Sequence, residues 1–159
     1  MEFSEVIEKR HSVRKYTEQP VDREILDTLV SIAQTAPSSK NCRSSAFMIV
    51  DDSDTLTALS EMRESGSAFL KNAPAAIVVL GDETKTDLWV ENSCISATFL
   101  QLAATAMDLG SCWIHVDKRP RSKTDASKGS AESYVRELLG LKDGIRVLCV
   151  VSVGYEDVQ

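Results

Sequence analysis

The sequence contains no apolar run approaching the roughly 20 residues needed to cross a bilayer, so a membrane-spanning chain is not expected. Its start, MEFSEVIEKR, has no hydrophobic stretch ahead of its charges and does not read as a secretory signal, so a cytoplasmic location is expected. The four cysteines, Cys42, Cys94, Cys112 and Cys149, form no C-x-x-C pair, which argues against a zinc site and against a thioredoxin-type redox motif. They read as free thiols used as small apolar residues, and no metal site is expected. There is no Rossmann G-x-G-x-x-G, no internal repeat and no linker. With 159 residues, the chain is expected to form one domain, residues 1–159.

What is present is an ordinary globular composition, 43% hydrophobic and 26% charged, with a net charge of −6. That sign argues against a general nucleic-acid binder. The positive charge is nonetheless clustered. Lys9, Arg10, Arg14, Lys15 and Arg23 fall in one stretch and Lys118, Arg119, Arg121, Lys123 and Lys128 in another, together ten of the 18 Lys and Arg. Two local positive regions on an acidic body suit a small anionic ligand better than a polyanion.

Periodicity predicts a short first helix ending near His11, then an amphipathic helix of about four turns that starts after Asp22 and stops at Pro37. Strands are expected in SAFMIVDD, PAAIVVLGD, SCWIHV and IRVLCVVSVGY, the last central in a sheet. A helix capped by Ser53 and one opened by Ser130 and closed by Gly140 complete the pattern. From about Thr86 to Leu109 a helix is predicted that is apolar nearly all round, which requires cover on every side and favours a partner chain over part of it. Gly110 is expected to stop it. The stretch DKRPRSKTDASKGS has turn and charge signals without an apolar period and reads as an exposed loop. The sum is an α+β domain of four strands and five or six helices.

Two stretches carry candidate chemistry, and each has an ordinary alternative. KRHSVRKY, residues 9–16, can be a helix C-terminus that gathers cations against its exposed carbonyls. It can equally be a phosphate cradle, because in an extended segment Arg10, Ser12 and Arg14 point the same way. APSSKN, residues 36–41, can be a plain turn after a helix, or a set of short donors and acceptors lining a planar heterocycle.

Taken together and in order, EVIEKRHSVRKY, APSSKN, LQLAATAMDLGSCWI and YVRELLGLKDGIRVLCVVSVGY resemble the motifs of the nitroreductase family of FMN-dependent oxidoreductases over nearly the whole chain. The resemblance implies a central, mostly antiparallel sheet flanked by helices, and an intertwined homodimer with FMN at the interface. It implies that Arg10 and Ser12 hold the FMN phosphate, that His11 contributes mainly its backbone, and that Arg14 lies near the N1 and O2 edge of the ring. It further implies that Pro37, Ser38, Ser39 and Asn41 come from the other subunit. The segment of His115, Val116, Asp117 and Lys118 would run beside the flavin, with backbone groups of Asp117 and Lys118 near N5 and O4. The chemistry would be carried by FMN itself, with NADH or NADPH as reductant, a nitroaromatic or quinone as acceptor, ping-pong kinetics and no catalytic side chain.

The chain departs from the family pattern in three places, one of them the charges of Asp117 and Lys118, which stand where relatives vary, so that no substrate preference carries over. Arg43, Ser44 and Ser45 stand where relatives commonly have Gln-Pro-Trp, and the sequence ends at GYEDVQ where many relatives continue with a basic pair that binds phosphate. Lys118, Arg119 or Arg121 is expected to supply that charge. These departures keep open a second reading, a non-catalytic flavin carrier or sensor on the same fold. A third, an anion-binding regulatory domain without flavin, leaves the GSCWI and GY motifs unexplained.

Overall fold

The computed structural model describes residues 1–159. Five α-helices and four strands follow in the order α1 (Phe3–Lys9), α2 (Arg23–Ala33), β1 (Ser45–Val50), α3 (Ser53–Ser60), β2 (Ala75–Asp82), α4 (Trp89–Ala106), β3 (Gly110–His115), α5 (Ala131–Leu139) and β4 (Ile145–Gly154). The strands form one sheet in the order β1-β2-β4-β3, antiparallel at every pairing. An isolated parallel bridge, Ser12 to Ser111, lays the N-terminal segment along the free edge of β3. The expected α+β class and mostly antiparallel sheet are therefore what the chain adopts.

β2 and β4 are buried on both faces, which is why they read as continuous apolar runs. Side chains alternate: Ile77 and Val79 face α2 and α4, while Ala76, Val78 and Leu80 face α3 and α5. Each such Val or Ile, fully withdrawn from water, contributes about 1.5–3 kcal/mol. The β2–β4 register slips between Val79 and Leu80, where Cys149 and then Val147 are the partners, so Leu148 has no partner in this pairing. Its carbonyl instead accepts the N–H groups of both Val116 and Asp117 at 3.0 Å, fixing the segment that leaves β3.

Several boundaries differ from the sequence pattern for local reasons. The first helix ends at Lys9 and the second at Ala33, a turn short of Pro37. Asp52, not Ser53, caps α3, accepting from the Thr55 N–H at 2.8 Å. Asp108, at φ 58°, takes the left-handed position after α4. Gly110 opens β3 instead, because a Cβ there would come within 2.8 Å of the Val13 side chain. Ser130 and Gly140 bound α5 as the pattern predicts, Gly140 at φ 61°. The loop 117–130 is more tightly built than its composition suggests: Ser122 is buried, and its hydroxyl accepts from the N–H groups of Thr124 and Asp125.

At the start of β4, Arg146 ties four elements together. It bonds Glu132 of α5 at 2.8 Å and Glu83 at 2.9 Å, approaches the buried Asp117 carboxylate to 3.6 Å, and lies over the Trp89 ring at 4.8 Å. Replacing Arg146 by Met leaves Asp117 as a buried charge without its cation, and the expected loss is about 3 kcal/mol of unfolding free energy. Urea denaturation checks this, and adding Asp117→Asn to the same chain should recover part of the loss.

Candidate functional site

Residues 10–15 run extended after α1, and their side chains sort by parity. His11 Nε2 donates to Glu156 Oε1 at 3.0 Å, Val13 is buried against Gly110, and Lys15 pairs with Asp157 at 3.2 Å. These three fasten the segment to β3 and to the C-terminal tail. The hydrogen bond to Glu156 raises the His11 imidazole above its ordinary value. On the other parity, the side chains of Arg10 and Arg14 make no hydrogen bond or ion pair with the protein, and the Ser12 hydroxyl lies against the Cys112 thiol with the Arg14 charge nearby. The extended reading of this stretch thus holds over the helix-terminus reading. Of the implied contacts, His11 has its ring committed to Glu156, which leaves its backbone as the available part.

The turn after α2 is held from below by a residue that motif reasoning did not single out. Asn92, buried near the start of α4, accepts the Ser39 N–H at 3.0 Å and donates to the hydroxyls of Ser39 and Ser44 at 3.0 Å and to the Cys42 sulfur at 3.5 Å. Its sequence signal is weak, one of two amides in a helix rich in apolar and small residues. The turn needs this support because Lys40, Asn41 and Arg43 all sit at positive φ, 50°, 53° and 49°, which is unfavourable for residues with a Cβ. Ser38 accepts the Arg43 N–H at 3.0 Å, while Pro37 and Asn41 are exposed. Arg43 and Ser45, in the Gln-Pro-Trp position, line with Gln34, Ser38 and Ser96 a polar cavity of about 310 Å³. The Ser45 hydroxyl is buried there without a hydrogen-bond partner.

The third piece leaves the end of β3. Trp113 Nε1 donates to His115 Nδ1 at 3.1 Å and the two rings stack at 6.2 Å, so the His115 ring is neutral with its proton on Nε2. Burial, and then the Arg119 charge, hold that imidazole below its ordinary value. Val116 is fully buried and Asp117 nearly so, both with their N–H groups on Leu148, and the Asp117 carboxylate turns inward to Arg146. Of the two backbone donors expected to face a ring, the Asp117 N–H is therefore occupied. The Lys118 N–H, at φ 59°, makes no hydrogen bond within the chain.

The sheet brings the first and third pieces to one strand, since Ser12 runs beside Ser111 and His115 ends the same β3. The 37–41 turn lies apart from them, against α4, and no hydrogen bond or ion pair joins it to either piece. One chain carries two separate half-sets of donors.

The Cys42 thiol carries a test of the turn. Desolvation pushes it up, but hydrogen bonds from Ser39 and Ser44 outweigh this and lower it. Burial raises the Cys94, Cys112 and Cys149 thiols. A lowered value means more thiolate at neutral pH, so iodoacetamide at pH 7 should label Cys42 first of the four, as read by peptide mass spectrometry. Asn92→Ala removes the hub, and about 2 kcal/mol of stability and the selectivity of labelling should go together.

Comparison with known proteins places the fold and the sequence in one family. The model of the Nitroreductase family matches residues 7–64 and 54–155. An "FMN-dependent Nitroreductase" from Clostridium difficile R20291 superposes with a TM-score of 0.90 at 41% identity, over 97% of this chain and 87% of that one. A protein of Archaeoglobus fulgidus named "Putative NADH dehydrogenase/NAD(P)H nitroreductase" is 33% identical over 158 residues, 97% of this chain and 85% of the relative. A "nitroreductase family protein" from Clostridium novyi NT superposes with a TM-score of 0.83 at 25% identity, over 99% of this chain and 87% of that one. With its parity-sorted basic segment, its Asn92-held turn and its β3 exit laid out on this sheet, the chain belongs to the nitroreductase family.

Proposed function

We propose that the protein is an FMN-dependent NAD(P)H oxidoreductase that works as a homodimer. The observation that carries this reading is the parity of residues 10–15, in which His11, Val13 and Lys15 are consumed by the fold while Arg10 and Arg14 are left without partners and Ser12 meets only the Cys112 thiol. Two guanidinium forks and a hydroxyl on one side of a fixed strand form the donor set a phosphate monoester requires. The names of the Clostridium difficile and Archaeoglobus fulgidus relatives support the cofactor and the reductant respectively.

In this reading Arg10 and Ser12 hold the FMN phosphate, with the His11 backbone beside them, and Arg14 supplies positive charge to the ring. Pro37, Ser38, Ser39 and Asn41 cover the cofactor from the other subunit, and His115, Val116, Asp117 and Lys118 border it on the β3 side. FMN held there would supply two-electron chemistry between NADH or NADPH and a nitroaromatic, a quinone or a similar acceptor. His115 is held in position by Trp113 and the Asp117 carboxylate is held by Arg146, so both serve position in this reading and neither is assigned a catalytic part. A single open face that serves donor and acceptor in turn gives ping-pong kinetics.

The dimer rests on the outer face of α4. Ile95, Phe99, Leu102 and Ala106 follow one another at helical spacing along it, and the last three line with Phe3 and Ile32 an apolar groove of about 340 Å³. Phe3 is 70% and Ile95 38% exposed in the single chain, an apolar patch that a second copy would cover. The same arrangement unites the two half-sets of donors.

The purified protein should be yellow, and anaerobic addition of NADH or NADPH should bleach it. Colour without bleaching would favour the carrier or sensor reading, which the partnerless Ser45 hydroxyl in the reshaped wall supports. Arg10→Ala should weaken FMN binding by about 1.5–3 kcal/mol, measured as flavin retained after dialysis. Arg14→Gln should instead retain oxidised FMN and lower its midpoint potential by about 30 mV, the equivalent of ~1.4 kcal/mol for a two-electron couple. Anaerobic titration against a reference dye reads that shift.

A further inference from the structure

The second basic region is gathered beyond the end of β3 without counter-ions. Arg63 donates to the His115 carbonyl at 3.3 Å, and Arg121 donates to the Glu61 carbonyl at 3.0 Å with its guanidinium over the Tyr134 ring at 3.9 Å. Lys118, Arg119 and Lys123 are exposed, and their side chains make no hydrogen bond. None of these five cations takes part in any ion pair of the chain. Two adjoining cavities, of about 180 and 520 Å³, share Arg119, Pro120 and Lys123. The one carboxylate lining them, Glu64, accepts the Lys123 N–H at 2.8 Å. Burial and the charge of Arg119 together depress Arg63, so like charges have been brought within reach of each other.

An acidic chain that concentrates cations in a folded loop, and spends its carboxylates elsewhere, has built a site for an anion. That anion is not the phosphate held by Arg10 and Ser12. Ser12 pairs with Ser111, and the cluster meets β3 at His115, four residues or about 13 Å further along the strand. We propose that Arg63, Lys118, Arg119 and Lys123 form a second phosphate subsite, which takes the phosphate-bearing part of the nicotinamide dinucleotide and favours NADPH over NADH. The preference follows from charge, since the 2′-phosphate adds up to two negative charges where four cations have no ion-pair partner. The proposal rests on the reading that a flavin is reduced beside His115.

Calorimetric titration of the purified protein with 2′,5′-ADP and with 5′-AMP tests it. The expected result is that 2′,5′-ADP binds more tightly than 5′-AMP, that its affinity falls as salt rises, and that Arg119→Ala and Lys123→Ala each weaken it about tenfold. Arg119→Lys should recover part of the loss. Both side chains are exposed and free of contacts, so the variants should fold. FMN content should be unchanged in them, and kcat/KM should fall more for NADPH than for NADH. Absence of 2′,5′-ADP binding, equal binding by the two nucleotides, or equal binding by the variants would overturn the subsite. Loss of FMN from Arg119→Ala would also overturn it, by showing that the cluster holds the flavin phosphate. The nucleotide titration needs no flavin, so a colourless protein would count against the flavin reading alone.

Discussion

The backbone carbonyl of Leu148 is where the fold and the candidate site are joined. β4 is buried on both faces and paired on both edges, which leaves it little freedom except at the register slip. There the Leu148 carbonyl captures two consecutive N–H groups and ends β3 as a ladder. Val116 and Asp117 are drawn inward as a result, and the Asp117 carboxylate meets Arg146. Lys118 follows at positive φ, and Arg119 and the basic loop start outside the core. A two-residue anchor thus decides which groups after β3 are structural and which face outward.

The same division runs through the charges. The net charge of −6 does not neutralise cations evenly. Glu83, Glu132 and Asp117 are gathered on Arg146, and Glu156 and Asp157 on His11 and Lys15. Those ion pairs sit where elements must be fastened together. The side chains of Arg10, Arg14, Lys118, Arg119 and Lys123 take part in none of these ion pairs, although Arg121 beside them is fastened to the Glu61 carbonyl. Partner assignment, more than charge count, separates the cations that fasten the fold from the rest.

The strands, the central place of β4 and the bounds of α5 were legible because each depends on a local signal: a continuous apolar run, a serine cap, a glycine stop. The extended alternation of Arg10, Ser12 and Arg14 was legible for the same reason. Less visible were features set by distant partners. Gly110 looks like a helix stop until Val13 is seen packed against it, and Asp52 outcompetes Ser53 for the cap through a geometry that spacing does not encode. Asn92 serves a turn some fifty positions earlier in the chain. Arg146 collects partners from the residue after β2, from α4, from α5 and from the β3 exit, and no window of sequence contains them.

α4 shows most clearly how a composition can mislead about direction. Its apolar residues suggest a helix buried on every side, yet the chain's own fold buries Asn92, Ser93, Ser96 and Gln101 together with Ala97, Ala103, Ala104 and Leu100. Those inward polar groups have work to do: Asn92 supports the 37–44 turn, Ser93 reaches the Leu80 carbonyl at 3.4 Å, and Gln101 reaches Ser111 beside the basic segment at 3.4 Å. Ile95 and Phe99 are left to the outer surface. A helix that sends amides inward to hold two site segments, and aliphatic and aromatic side chains outward, organises both the half-set of donors within its chain and the surface through which, in the proposed dimer, a second chain brings the complementary half.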